Sequence, residues 1–135
     1  MSDGSVEVHG AVFSALKNMS PSLASGGVHS PAPQDTPLPY VEIGESSSVS
    51  SDVLARSGNT EFISIHVWTS SGSYGPAKQI ISRIRDALHA QKLTVSGRSY
   101  ASAIVTSTRV FDDIDGTSVH GVVSLTVNHF GPEES

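Results

Sequence analysis

Six histidines give this 135-residue chain its most obvious capacity for chemistry, as metal ligands or proton carriers. None of them lies in the helical H-E-x-x-H pattern of a zinc site. The chain has no cysteine, which excludes disulfides and thiolate metal sites. His120 and His129 lie an odd number of residues apart, so on one strand they face opposite sides of a sheet. The sequence therefore predicts surface or hydrogen-bonded histidines and no metal site.

Three aspartates and a glycine form the segment Asp112-Asp113-Ile114-Asp115-Gly116, which contains part of a calcium-loop pattern. An EF-hand loop also needs a third oxygen ligand and a closing Glu, and neither stands at the required spacing. Asp115-Gly116 is typical of a hairpin turn, which places the acids at a solvated tip. Serine is abundant, but the nucleophile elbow, the phosphate-binding loop and the dinucleotide-binding glycine pattern are all absent. We therefore expect no catalytic residue and no cofactor.

Charge and hydropathy restrict the partners of the chain. The formal net charge is −5, and the eight Lys and Arg residues are scattered along the sequence. A site that binds nucleic-acid phosphates requires clustered cations, so the sequence argues against such a site. No apolar run approaches the ~20 residues of a membrane span, and the N-terminus has no apolar signal core. We expect a product of the bacterial cytoplasm with no membrane partner, folded as a single domain over residues 1–135.

Two amphipathic helices are predicted from apolar residues that recur at spacings of three and four. The first lies near residues 5–19, and its apolar stripe consists of Val8, Val12, Ala15, Leu16 and Met19. The second begins around Gly75-Pro76, because proline is favoured at the first helical position. Its buried stripe consists of Ala77, Ile80, Ile81, Ile84 and Leu88.

Alternating side chains predict about four main strands. The clearest is Phe62–Thr69, followed by Tyr40–Glu45 and by a long hairpin of Tyr100–Phe111 and Val119–Phe130. Long loops are expected at 20–39, where a short strand around Val28 interrupts the prolines, and at 46–60, which is rich in serine. The last residues, 131–135, are expected to be frayed. The element order predicts an α+β domain with a mixed, mainly antiparallel sheet and two helices packed on one face.

The strand Phe62–Thr69 has a core face of Ile63, Ile65 and Val67 and an opposite face that contains Phe62, His66 and Trp68. Tryptophan is enriched at binding hot spots, so this second face is a candidate contact with another protein. The alternative is a tryptophan that covers the back of the sheet within one subunit. The residues leave both interpretations open.

Three segments resemble a family encoded among the head-to-tail genes of phages. Residues 37–45 resemble its P-L-P-Y-V-x-I-G segment, His66-Val67-Trp68-Thr69 resembles its H-x-W-S strand, and residues 113–122 resemble its D-x-D-G…H-G-V hairpin. The three segments occur in family order over roughly residues 6–130. The family is that of the tail-terminator and tail-completion proteins of phages and gene transfer agents.

This resemblance implies a structural virion protein, not an enzyme, with no catalytic residue, metal or cofactor. It implies a ring, usually a homohexamer, that caps the head-proximal end of a long non-contractile tail tube, stops polymerisation and provides a head-docking surface. The implied partners are further copies of the chain, the tail-tube protein and the head-tail connector or stopper. Genomic DNA would pass through the channel without sequence-specific binding, in the neck of a virion or gene-transfer-agent particle.

In such a ring we expect one surface to meet a neighbouring subunit and another to line the lumen. The first consists of Phe62, His66 and Trp68, and the second of Asp112, Asp113 and Asp115. Acids in the lumen would repel DNA phosphate within about 8 Å at physiological salt. Two alternative functions are a head-side neck protein, such as a stopper or head-completion protein, and a non-viral protein-binding module.

Overall fold

The computed structural model describes residues 4–50 and 58–131. Its helices are α1 (Ser5–Lys17) and α2 (Gly75–Leu88), and its strands are β1 (Val28–His29), β2 (Tyr40–Ser50), β3 (Gly58–Ser70), β4 (Gln91–Lys92), β5 (Tyr100–Asp112) and β6 (Ser118–Phe130). The sheet order is β1-β2-β3-β6-β5-β4; β1 is parallel to β2, and all other pairs are antiparallel. The predicted α+β class is confirmed. The sheet has six strands and not about four, because the two-residue strands β1 and β4 extend its sides.

Both helices pack on one face of the sheet, as predicted, and that face holds the core. The apolar stripe predicted for α2 is buried along its whole length. In α1 only Val8, Val12 and Leu16 are fully buried; Ala15 is half-buried, and the half-buried Met19 lies beyond the end of the helix at Lys17. Full burial of side chains of this size contributes about 1.5–3 kcal/mol each. Within the described ranges, neither helix is long and apolar enough to cross a membrane.

The central strands β3 and β6 pair along their full length and divide the sheet into two faces. The predicted core residues Ile63, Ile65 and Val67 are at most 2% exposed and point toward the helices. Their neighbours in sequence point the other way, because side chains alternate along a strand. The side of the sheet opposite the helices is called the open face below.

The serine-rich run is a strand over residues 46–50, so the loop predicted for 46–60 is wrong in that part and at 58–60. A bulge between Ile43 and Ser46 precedes it, and Ser46–Ser50 then pair with β3. Pairing with β3 satisfies the backbone N–H and C=O groups of the run whatever its side chains are. Because the run has few apolar residues, no alternation of side chains indicated this pairing. The connector 20–39 holds β1, as predicted. Residues 51–57 and 132–135, including most of the tail predicted to fray, lie outside the described residues.

A charged network is buried beneath the end of the sheet. Glu61 and His129 are 2% and 0% exposed, and His129 Nε2 lies 3.0 Å from Glu61 Oε1. Arg98 Nε donates to His129 Nδ1 at 3.0 Å, and the Ser48 hydroxyl donates to the second oxygen of Glu61. Because a carboxylate only accepts and Arg98 only donates, His129 is held as the neutral tautomer with its proton on Nε2. The imidazole thus connects a buried anion to a half-buried cation.

We predict that Glu61→Ala lowers the free energy of unfolding by about 3 kcal/mol, because it leaves His129 and Ser48 without their acceptor in a buried site. The matched control is Glu45→Ala, which removes a histidine-bonded glutamate that is 74% exposed and should cost less than about 1 kcal/mol. Urea unfolding of both variants measures the difference. Equal losses in the two variants would show that burial adds nothing to the Glu61 network.

Candidate functional site

The open face carries a row of rings in contact, two pairs stacked and one pair tilted, that crosses the four long strands. Tyr40, Trp68, His120 and Phe111 occupy one register position on β2, β3, β6 and β5. The ring centroids are 5.2 Å apart between Tyr40 and Trp68, 4.4 Å between Trp68 and His120, and 4.9 Å between His120 and Phe111. Stacked pairs at such distances contribute about 0.5–1.5 kcal/mol beyond their buried area. The sheet therefore presents a flat, rigid aromatic surface.

His66 lies beside this row and depends on a glycine in the neighbouring strand. Its ring stacks on Trp68 at 5.4 Å and passes over Gly44. A Cβ at position 44 would lie 2.5 Å from His66 Cδ2, closer than side chains approach one another. Glycine at this position therefore permits the ring to lie flat on the sheet.

A chain of polar contacts runs through the same residues. His66 Nε2 lies 2.8 Å from Glu45 Oε1, His66 Nδ1 lies 2.8 Å from His120 Nε2, and His120 Nδ1 lies 3.7 Å from Asp113 Oδ1. With both rings neutral, His66 donates to Glu45, and His120 donates to His66. One further proton fits on His120 Nδ1, toward Asp113. A second would place N–H groups on both sides of the contact between the rings and break it.

Burial and the neighbouring bonds shift two pKa values in this chain of contacts. Burial, more than the charge of His66, lowers the pKa of His120, although Asp113 acts in the opposite direction. The hydrogen bond from His66 lowers the pKa of Glu45. These shifts in pKa favour the neutral form of His120 and the ionised form of Glu45.

The three aspartates of the β5–β6 tip have partners within the chain. Asp115 Oδ1 accepts from the Thr117 and Ser118 backbone N–H groups at 2.8 and 3.1 Å and closes the turn at Gly116, whose φ is 72°. The hydrogen bond from the Thr117 backbone N–H, and to a smaller extent those from Ser118, lower the pKa of Asp115. Asp112 accepts from the Tyr74 hydroxyl at 3.2 Å. The predicted hairpin turn is confirmed, and its acids help to organise the tip.

The structure brings His66 and Trp68 together and places Phe62 apart from them on the same face. Phe62 is 45% exposed beside a shallow groove, whereas Trp68 is half-buried between Tyr40 and His120. His120 and His129 face opposite sides, as their spacing predicted.

Sequence reasoning did not identify Tyr40, Phe111 and His120 as members of the aromatic row. They lie on separate strands, and only the strand register places them beside Trp68. Of the residues that the structure describes, no three His, Asp or Glu side chains are arranged to hold a metal ion.

Comparison with known proteins assigns a family to this fold. A family model described as tail completion protein gp17 matches residues 10–128. The tail completion protein gp17 of Bacillus phage SPP1 is 30% identical over 98 residues, which cover 71% of this chain and 72% of that protein. A chain in the virion of a native gene transfer agent particle has the same fold, with a TM-score of 0.82 over 95% of this chain and 98% of that chain, at 18% identity.

We predict that His120 makes the protein less stable as the pH falls below about 6.5. Its pKa is lower in the folded protein than in the unfolded chain, so the unfolded state binds more protons in that window and the free energy of unfolding decreases. In His120→Phe, which retains an aromatic ring, the decrease between about pH 7.5 and pH 5.5 should be smaller. Urea unfolding at several pH values measures this slope. Identical slopes in variant and parent would contradict the assignment.

Proposed function

The chain belongs to the tail completion protein gp17 family of phages, and we propose that it is the terminator of a long, non-contractile tail. In this proposal it forms a homohexameric ring on the head-proximal end of the tail tube, in the neck of the particle. The ring stops tube polymerisation and offers a docking surface to the head-tail connector or stopper. It assembles in the bacterial cytoplasm, does not act as an enzyme, and lets genomic DNA pass through its channel.

The observation that carries this proposal is the match to the SPP1 tail completion protein over most of both chains. Membership of its family makes the chain a structural component of a virion tail. The fold shared with a chain of the gene-transfer-agent virion supports a position in an assembled particle. A flat aromatic face without a deep pocket suits a protein partner better than a small molecule.

We propose that the open face around Phe62, His66 and Trp68 packs against a neighbouring subunit. A ring contact is heterologous, and a specific interface buries about 800 Å² on each partner. The internal stacking of Trp68 is compatible with this role, because it holds the ring rigid before the partner arrives. Phe62 supplies an exposed apolar anchor on the same face.

We propose further that the β5–β6 tip lines the channel, so that Asp112, Asp113 and Asp115 face DNA. Repulsion of phosphate acts only within about 8 Å at physiological salt, so it discourages adhesion without opposing passage. Asp115 also holds the turn. Asp112 and Asp113 are therefore the positions at which charge can be removed with the least change in the tip.

Deletion of the gene tests the function directly. Electron microscopy of particles from the deleted strain should show overlong tails that are not attached to heads, because the tube has lost its stop. Tails of normal length beside unattached heads would assign the chain to the head side of the neck, as a stopper or head-completion protein. Fully normal particles would refute a role in tail completion.

Complementation of the deleted strain tests the two surfaces. Trp68→Ala should restore few normal-length tails, whereas Asp112→Asn with Asp113→Asn should restore tail length but slow DNA ejection, because phosphate then adheres to the channel wall. Exposed Ser14→Ala on α1, away from both surfaces, is the matched control and should restore both properties. Normal tails with Trp68→Ala would contradict the interface, and a normal ejection rate in the asparagine variant would contradict the lumen assignment.

A further inference from the structure

The sheet ends in two long free edges on opposite sides of the molecule. β1 pairs with β2 at two positions only, and β4 pairs with β5 at two positions only. Within the described residues, no strand pairs with the outer side of 43–50 in β2 or of 104–112 in β5; one group there, the Val105 N–H, is bonded to His89. Free edges present rows of N–H and C=O groups that pair readily with another strand.

The two edges differ in charge, although Asp112 is an acid at the end of the β5 edge. Arg109 lies on the edge of β5, and Lys78 and Arg85 of α2 line the cleft on the helix side of that edge, so three of the eight cations of a chain whose net charge is −5 lie near it. In the part of the chain that the structure describes, no carboxylate forms an ion pair with these three cations. At the edge of β2, Glu45 is 74% exposed. Opposite charges on complementary surfaces direct association and set its register.

Arg109 and Glu45 lie on the same face of the sheet. Arg109 is paired with Val122 and lies over the ring of Phe111, which places it on the open face. Glu45 reaches the open face as well, because it binds His66. A carboxylate has about four acceptor sites, so Glu45 can bind a guanidinium group and still accept from His66.

The direction of the strands suits a joint between these edges. The antiparallel pairs β2–β3, β3–β6 and β6–β5 make β2 antiparallel to β5. When a second copy is placed beside the first by rotation about an axis along the strands, its β2 therefore runs antiparallel to the β5 that it meets. β1 and β4 then lie at opposite ends of the joint and leave its middle free.

The faces of the sheet on which the side chains lie are consistent with one register between the two edges. With Arg109 opposite Glu45, an antiparallel joint places Thr108 opposite Ser46 and Ser107 opposite Ser47. Thr108 and Ser46 both face the helices, because their partners within the sheet are core residues, and Ser107 and Ser47 both face the open side. Residues directly opposite each other in a sheet must share a face, and these pairs do; the register ends at the bulge before Ser46, because beyond it Phe111 of the open face would lie opposite core-facing Ile43.

We propose that the edge of β5 in one copy pairs with the edge of β2 in the next, with Arg109 opposite Glu45. The ring proposed above, on which this inference rests, is then one continuous sheet closed on itself, and its neighbouring subunits meet along their edges instead of through the open face around Trp68. The joint is heterologous, so every subunit uses both edges and none remains free.

The absence of native cysteine allows a direct test with Ser47→Cys combined with Ser107→Cys. Within one chain these positions are separated by β3 and β6, about 14 Å at the usual strand spacing, which is beyond the reach of a disulfide. Mild oxidation of purified particles and of the purified protein should give a ladder of cross-linked copies on a non-reducing denaturing gel. Either single variant should stay monomeric.

Two outcomes of this experiment overturn the proposal. A dimer formed by Ser107→Cys alone would show that two β5 edges pair symmetrically, and the absence of cross-links in both particles and purified protein would show that these edges do not meet. Circular dichroism of the double variant verifies that it is folded before oxidation.

Charge reversal tests the register in the same cysteine background. Arg109→Glu should reduce the cross-linked fraction by about tenfold, because it places two acids opposite each other. Adding Glu45→Arg should restore the fraction. Lys92→Glu, the same type of change on β4 outside the joint, is the control and should leave cross-linking unchanged. An unchanged cross-linked fraction in Arg109→Glu would contradict the pairing of Arg109 with Glu45. So would a cross-linked fraction that stays low when Glu45→Arg is added to Arg109→Glu.

The gene-deletion experiment separates this inference from the proposed function. Overlong tails without the gene, together with no cross-links, would leave the terminator role intact and refute the edge joint. Cross-links together with normal tails in the deleted strain would support the joint and refute the role in tail length.

Discussion

The two helices cover only one face of the six-stranded sheet, and the remaining features of the protein follow from that arrangement. The side of β3 and β6 that meets the helices is filled with aliphatic residues. The residues on the other side are not covered by helices, so they must form favourable contacts with one another, with water or with a partner. It does so with stacked rings and hydrogen-bonded histidines, which are apolar at the centre and polar at the rim. A sheet with one face covered by helices and the other face uncovered suits a subunit that assembles with other protein chains.

The same pair of residue types has two different roles on the two faces. On the helix side, Glu61 and His129 are fully buried and are connected to Arg98, so the network contributes to stability and fixes one tautomer. On the open side, Glu45 and His66 are close to solvent and lead through His120 toward Asp113. Burial, not residue identity, decides that the first network is structural and the second can respond to protons or to a partner.

The sequence was sufficient to predict secondary structure and buried faces where the periodicity of apolar side chains was strong. The isoleucines of α2 and the alternation around Ile65 predicted a helix, a central strand and the faces that they bury. Periodicity carries no information on Ser46–Ser50, where backbone pairing alone extends the strand, or on β1 and β4, which are too short to show a pattern. The contact between His66 and His120 joins two strands whose register no local pattern specifies, so the polar chain of the open face could not be predicted.

Free sheet edges are usually protected by lysine, proline or strong bulges, because they otherwise template aggregation. Here the described edge of β2 is serine-rich and has one bulge, and the edge of β5 has one arginine, one aspartate at its end and one bulge. In the proposed joint, Arg109 opposite Glu45 provides a different protection, since it favours contact between unlike edges. Unlike edges form head-to-tail contacts, and such contacts end without an exposed edge only when the rotation between subunits closes a ring. The charge pattern of the edges therefore favours head-to-tail contacts, and in the proposed ring such contacts leave no edge exposed, which is the property that a protein stopping a tube requires.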